Sequence, residues 1–501
     1  MDYMKSVLLY TLIGLLAICF SACGGEDPSI DPGTKPGPDE TEGATLWTTT
    51  FDKSRNFEQS SVRFDQSSPK SPNSVRFTDE TFQTVDGFGL AITHASCYNL
   101  LRMSQEDRTQ LLTELFSATA GAGSSLIRVC IGGSDFSVDH DYTWCDKEGM
   151  ANFAIHEDEF KYLFPILDEI YKINPNVQII GSPWSCPVWM KMTLDGSGAP
   201  MPSWTSGRLN PKYYADYADY FVKWVQEMQK RGYRVKYVTL QNEPLNKGNS
   251  MSLYMPWQDQ RDFLKIVGPA FRKAGLKTEI LLFDHNYNYD GIADQRDYPL
   301  KIYADPEAAQ YAAGSAWHNY LGSVSELDKI QKAAPDKGIW FTEASIGGWT
   351  YDEKGFGAQF QEDFREIVMG TLKRGCKGIT LWNMMLDNES KPYRKGGCKD
   401  CYGAVTIDNS TYSLKTLDRK SHWYDVIHPS VVIKPGAVRI GTEGRTAANV
   451  TYLAFRNPDK SYAVLILNEG STAEPFVFAS GNHTVSITAP GKSVISAIWK
   501  D

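Results

Sequence analysis

An alternation narrows the fold of this chain more than any other feature. Between residues 86 and 384, apolar and β-branched runs are separated by segments with helical periodicity. The runs cover 86–92, 124–131, 177–183, 235–242, 278–284, 314–320, 338–345 and 377–384. Their apolar residues are nearly continuous, as expected of parallel strands covered on both faces. Two of the intervening helices are well marked. Asn210 can cap and Pro211 can start a helix with the stripe Tyr214, Tyr217, Phe221, Trp224, Val225 and Met228, and Gly232 ends it. Phe360, Phe364, Ile367 and Val368 repeat that spacing. The pattern predicts an α/β fold, a (β/α)8 TIM barrel over residues 86–428.

The flanks of the barrel lack a helical period. Short extended runs at 46–51 and 74–77 precede it, and runs at 437–440, 450–456, 462–467, 476–479, 484–487 and 494–499 follow it. We expect them to form a side β-sandwich, with N-terminal strands from 44–85 and C-terminal strands from 429–501. The barrel is then an insertion in the sequence of the sandwich.

At the N-terminus, Lys5 precedes an apolar run at 7–20 that is short for a transmembrane helix, and Ser21-Ala22-Cys23-Gly24 follows at once. This arrangement resembles a bacterial lipoprotein signal. The resemblance implies removal of residues 1–22, lipidation of Cys23 and a flexible tether over 23–43, a stretch with almost nothing to bury. Glu26 and Asp27 resemble the start of the tether in surface-exposed lipoproteins of Bacteroides-type bacteria. The location implied is the outer membrane of a Gram-negative cell, contacted through the lipid anchor only and open to the outside.

Composition removes several function classes. The net charge of -9 comes without any basic cluster, which argues against nucleic acid and broad anionic surfaces as partners. Thirteen tryptophans and 26 tyrosines supply flat faces that suit sugar rings as well as cores. Cys398 and Cys401 form a C-x-x-C in a loop rich in Gly, Lys and Asp, which in an exported protein reads as a loop disulfide. Cys97, Cys130, Cys186 and Cys376 sit in apolar settings and read as buried thiols. The eight histidines are dispersed along the chain, no H-E-x-x-H occurs, and neither a metal nor a cofactor is expected.

Chemistry is written at the strand ends. The fourth run closes on Leu240-Gln241-Asn242-Glu243-Pro244, where the proline keeps Glu243 out of the helical region. The seventh closes in the same manner on Glu343. In a TIM barrel the C-terminal ends of the strands carry the active site, and here they also bring Asp135, Trp184, His318, Tyr320 and Trp382. Two acids among aromatics point to glycoside cleavage, in which one carboxyl is protonated for the leaving oxygen and the other is ionised. A separation of about 5 Å implies retention of configuration, and a wider gap implies inversion.

Four motifs make the comparison specific: Asp-Gly-Phe-Gly at 86–89, Ser-Pro-Trp-Ser-Cys-Pro at 182–187, Leu-Gln-Asn-Glu-Pro at 240–244 and Trp-Phe-Thr-Glu-Ala-Ser at 340–345. With Lys-Pro-Gly-Ala at 434–437, the chain after the tether resembles glycoside hydrolase family 30, which contains glucosylceramidases, β-1,6-glucanases and glucuronoxylanases. The resemblance implies that Glu243 is the general acid/base and Glu343 the nucleophile of a retaining double displacement. It also implies that Asn242 binds the 2-hydroxyl, and that Asp135, Trp184, His318, Tyr320 and Trp382 hold the same sugar. Residues 386–393 depart from the glucosylceramidases, and Lys391, Arg394 and Lys395 are mixed with Glu389 and Asp400, which suits a uronate clamp poorly. The expected substrate is a polysaccharide, β-1,6-glucan cut internally, with glucosylceramide and other β-glucosides or xylan as alternatives. A surface lipoprotein that captures glycans without cutting them is the rival, and a pure binder has no use for paired carboxyls.

Overall fold

The structure is a computed structural model that describes residues 42–500 except 67–69, 250 and 482. Cys23 and nearly all of the tether lie outside the described residues. All eight expected barrel strands are present: β1 (Gly87–Leu90), β2 (Leu126–Cys130), β3 (Gln178–Ser182), β4 (Arg234–Thr239), β5 (Glu279–Asn286), β6 (Ala312–His318), β7 (Gly338–Glu343) and β8 (Cys376–Leu381). Each pairs in parallel with its sequence neighbour from β2 to β8, and β8 pairs with β1. A bridge between Ala91 and Arg128 closes the ring.

The interior of the barrel is packed rather than hollow. Leu126, Ile180, Tyr237, Leu281, Ala316 and Trp340, one from each of six strands, form a buried cluster inside it. Gly338 is required there, because a Cβ at that position would lie 2.3 Å from the Trp340 ring. Below this layer Asp86 accepts hydrogen bonds from Tyr237 and Trp340, both at 2.9 Å, and pairs with Lys236. The bottom of the barrel is thereby sealed, and the polar groups left over collect at the top.

The helices form for the reasons read in the sequence. The Asn210 side chain accepts from the Lys212 N–H at 3.1 Å, Pro211–Tyr213 makes a 3-10 turn, and helix α1 (Tyr214–Lys230) follows. Its apolar stripe is buried, and Gly232 leaves it with φ of 92°. Phe360, Phe364, Ile367 and Val368 are buried on helix α2 (Gly348–Asp363) and the π-helical segment Phe364–Met369 that continues it. The helical period does not stop at Pro429. Helix α3 (Ser421–Val432) carries Pro429 in its last turn, where the Ile433 N–H still donates to the Pro429 carbonyl at 2.8 Å.

The side domain is one nine-stranded sheet folded on itself. Its order is Glu58–Arg63, Gly43–Thr50, Ser493–Trp499, Tyr462–Asn468, Val450–Arg456, Val438–Gly444, Asn73–Thr84, Glu474–Ser480 and His483–Ala489. A bridge from Phe64 to Val485 joins its two edges around a core that includes Val464, Ile466, Phe476, Phe478 and Trp499. The strand Glu58–Arg63 escapes sequence reading because its residues are polar and mostly exposed, with no alternation to detect. On α3, buried His428 bonds Ser496 and Thr49 at 2.8 Å each and fastens the barrel to this sheet. Burial holds its imidazole down to about 3, so it stays neutral.

Cys398 and Cys401 form the expected disulfide. Cys97, Cys130, Cys186 and Cys376 are buried free thiols, as is Cys145.

Candidate active site

The top of the barrel is organised by a cation that the strand pattern hides. Arg128 lies in the middle of β2, 1% exposed. Its Nη1 contacts Glu343, its Nη2 donates to Asn242 Oδ1 at 2.8 Å and Asp284 Oδ2 at 2.9 Å, and its Nε donates to Ser182 at 3.1 Å. Asp284 is fully buried and also accepts from Thr239 at 2.7 Å, Thr342 at 2.6 Å and His318 Nε2 at 3.0 Å. Burial pushes its carboxyl up, but Arg128 and then His318 outweigh it and hold the group far below the usual carboxylate range. These partners come from β2 to β7, so one buried ion pair ties the tops of six strands.

Glu243 and Glu343 stand above this floor. Glu343 ends β7 and receives Arg128 on one oxygen and the Tyr320 hydroxyl, at 2.8 Å, on the other. Glu243 follows β4 with φ of 45°, a conformation that costs a non-glycine residue on the order of 1 kcal/mol or more. It is held by its N–H, which donates to the Asp284 carbonyl at 3.0 Å, while the Asn242 N–H donates to Pro183 at 2.8 Å. The Glu243 carboxylate accepts from Asn246 at 2.8 Å and Asn249 at 3.1 Å on Oε2, and faces His318 Nδ1 at 3.4 Å with Oε1. One oxygen from each glutamate and one nitrogen of His318 all lie within 4.8 Å of one another.

The rest of the expected set surrounds this pair. Trp184 and Trp382 pack ring against ring at 5.0 Å, beside the guanidinium of Arg128. Asp135, whose buried Oδ1 has no protein partner, lines a cleft of about 320 Å³ with Glu243, Glu343, Tyr320 and Trp382. Burial first, and then the charges of Glu343 and Glu243, push its carboxyl well up, which leaves it ready to donate as well as accept. The disulfide Cys398–Cys401 and Trp349 complete the cleft wall. The Trp349 side chain is 47% exposed, an open apolar face at the mouth.

Sequence reading missed Arg128, Asp284, Asn246, Asn249 and Trp349. An arginine inside the apolar run Leu126-Ile127-Arg128-Val129-Cys130 was a usable signal, because a buried guanidinium demands a buried acid. The asparagines and Trp349 lie on loops, where periodicity says nothing. The histidines, dispersed in the sequence, are partly gathered by folding: His140 comes within 3.0 Å of His156, with Asp158 alongside, and His318 meets His285 edge-on.

A TIM barrel with two glutamates facing each other at its C-terminal mouth defines a glycoside hydrolase architecture. Residues 85–431 match the glycosyl hydrolase family 30 TIM-barrel domain and residues 436–497 the family's β-sandwich domain, so the chain belongs to glycosyl hydrolase family 30. It is 47% identical to the endo-β1,6-glucanase BT3312, whose solved structure superposes with a TM-score of 0.88 over 92% of this chain and 100% of the other. It is 32% identical to the endo-1,6-β-D-glucanase BGN16.3 of Trichoderma harzianum, with 77% of this chain and 78% of the fungal protein covered. The lysosomal acid glucosylceramidase of Mus musculus is 26% identical over 84% of this chain and 82% of that protein.

Arg128→Lys keeps the charge but cannot donate to Glu343, Asn242 and Asp284 together. We expect a soluble, folded variant with kcat/KM lowered at least about 100-fold, the scale of a misplaced catalytic group. Near-normal kinetics with unchanged circular dichroism would show that the fork does not position the pair.

Proposed function

We propose that this protein is a retaining glycoside hydrolase that cuts β-1,6-glucan internally, and that it is exported and lipid-anchored through Cys23. The observation that carries the chemistry is the approach of one carboxylate oxygen of Glu243 to within 4.8 Å of one of Glu343. That gap is narrower than the roughly 6.5–9.5 Å that inverting enzymes keep between acid and base, and agrees with the separation of about 5 Å found in retaining enzymes.

Glu343, ionised against Arg128 and aimed by Tyr320, attacks the anomeric carbon. The bond from that carbon to the glycosidic oxygen breaks, and the proton of Glu243 passes to the departing oxygen. Water then attacks the glycosyl ester and returns a proton to Glu243, and Glu343 leaves as carboxylate. Because Asn242 Oδ1 is occupied by Arg128, its amide is turned with Nδ2 available as a donor for the 2-hydroxyl.

The charges at the cleft lean against this division of labour. Burial and then Glu243's own charge push Glu343 up, whereas His318 and His285 outweigh burial and hold Glu243 down to about 2. His318 supplies the reconciliation: it is raised to about 9 because Glu343 and Asp284 outweigh its burial. Its Nε2–H is fixed on Asp284, so the proton on Nδ1 faces Glu243 across 3.4 Å. Imidazolium with carboxylate, and imidazole with carboxylic acid, are two placements of that one proton. The pair therefore stores the proton that Glu243 delivers, and we assign the roles from this geometry and from Arg128's grip on Glu343.

The substrate reading rests on the similarity to endo-β1,6-glucanases and on the pairing of two of the four cations in the loop after β8. Lys391 pairs with Glu389, and Arg394 pairs with Asp141 and the Asp139 carbonyl, so neither is free to clamp a uronate. The exposed Trp349 at the mouth offers a platform for a further sugar ring, as an internally cutting enzyme needs. The anchor rests on Ser21-Ala22-Cys23 placed directly after the apolar run.

Three outcomes test these proposals. Glu343→Ala loses turnover on every substrate, whereas Glu243→Ala keeps activity on aryl glucosides with good leaving groups, and time-resolved NMR of the wild type shows β-product first. Inverted product, or the opposite pattern in the two mutants, overturns the mechanism. On linear β-1,6-glucan the early products are mixed oligosaccharides, while hydrolysis of glucosylceramide without glucan cleavage, or release of glucose alone, refutes the substrate assignment. For the anchor, Cys23→Ala should move the protein from the membrane to the soluble fraction; unchanged fractionation rules out lipidation there.

A further inference from the structure

A histidine and two acids that the reaction does not use lie buried behind the cleft wall. Asp363 is the last residue of α2, and His422 and Asp425 stand one turn apart on α3. They are 7%, 0% and 1% exposed. One ligand atom from each lies within 4.8 Å of the others, and His422 Nε2 is 3.7 Å from Asp363 Oδ2. That distance is too long for a hydrogen bond and short enough for one atom to bind both.

Asp363 is satisfied in part, by Ser421 at 3.1 Å and Gln359 at 2.8 Å. Both oxygens of Asp425 and the neighbouring Gln359 Oε1 find no partner in the protein, and the His422 nitrogens have only the Trp382 backbone alongside, outside regular hydrogen-bond geometry. Among the described residues no Lys or Arg forms an ion pair with either acid. Each unpartnered buried polar atom costs on the order of 1–3 kcal/mol, so a cluster of this size calls for an occupant.

We propose that Asp363, His422 and Asp425 form a structural binding site for one divalent cation of the zinc type, clamping α2 to α3. A dication neutralises two carboxylates that have no cationic side chain beside them. One imidazole with two carboxylates suits zinc or manganese, whereas calcium asks for six or more oxygens. Burial holds the imidazole down to about 3, so its lone pair is free at neutral pH. Without a cation, burial pushes Asp363 up to about 7 and Asp425 well above its usual range, and coordination releases those protons. The backbone of Trp382 lies against His422, so the clamp also backs the cleft wall.

The His140, His156 and Asp158 group is a poorer candidate and a necessary control. His156 Nδ1 accepts from the Asp158 N–H at 3.2 Å, and its Nε2 is bound to His140.

The test uses the full mature protein, unfolded in urea with chelator, refolded with Zn²⁺ or Mn²⁺, gel-filtered and analysed by elemental mass spectrometry. Wild type and the double variant His140→Ala, His156→Ala should each retain about one equivalent, and Asp425→Asn and His422→Gln less than a tenth. Metal should raise the wild-type Tm by about 2–4 °C and leave Asp425→Asn unmoved. Two results overturn the site: refolded, active wild type that retains no metal and shows no Tm shift, or retention that is lost with the His140 and His156 pair. In the first case the cluster holds water and protons alone. Both variants are measured because either one alone could fail to refold.

Discussion

The architecture of this active site depends on one buried ion pair, Arg128 with Asp284. A guanidinium and a carboxylate, both closed off from water, gain little net stability from each other, because desolvation consumes most of the attraction. Losing either partner, however, strands a buried charge at a cost of about 3–5 kcal/mol. The pair therefore acts as a constraint more than as a source of stability: it admits only arrangements in which Ser182, Thr239, His318 and Thr342 point inward to complete the shell of Asp284. A barrel slipped by one residue at any of these strands would turn an apolar side chain toward the charge.

From that floor the two glutamates acquire different surroundings. Glu343 shares Arg128 directly, whereas Glu243 reaches the same floor only through His318 and through its own N–H on the Asp284 carbonyl. The left-handed backbone at Glu243 falls beside the irregular end of β5, where Phe283 and Asp284 themselves have φ of 70° and 72°. Strain is concentrated where two strand ends must present acids toward one point. The hydrogen bond between those two irregular backbones ties them together.

Much of the fold was legible because its signals are periodic. Eight continuous apolar runs, the cap at Asn210 and the stripe on α1 are local patterns, and the C-terminal strands read through nearly to their ends. What periodicity could not show was polar and long-range. Glu58–Arg63 is a strand only because Gly43–Thr50 and the strand containing Val485 flank it. Glu243, Glu343, Asp135, Trp184, Asn242, His318, Tyr320 and Trp382 could be singled out because strand ends declare themselves in sequence, and the structure places them around one mouth. Arg128 was missed because it sits inside an apolar run, and Asp284 because its partner lies 156 residues away.

The same logic separates the two carboxylate clusters that share the second half of the barrel. At the mouth, three acids, Glu243, Glu343 and Asp284, face two cationic groups, Arg128 and His318, so the site is one proton from neutrality and can move that proton. Behind Trp382, Asp363 and Asp425 face a histidine that burial keeps neutral, and among the described residues no Lys or Arg forms an ion pair with either acid. A cluster with internal counter-charges suits chemistry, because its charge can redistribute without drawing on solvent. A cluster without them must take its positive charge from outside, as protons or as metal, and for the same reason it is suited to holding helices together and not to turning over substrate.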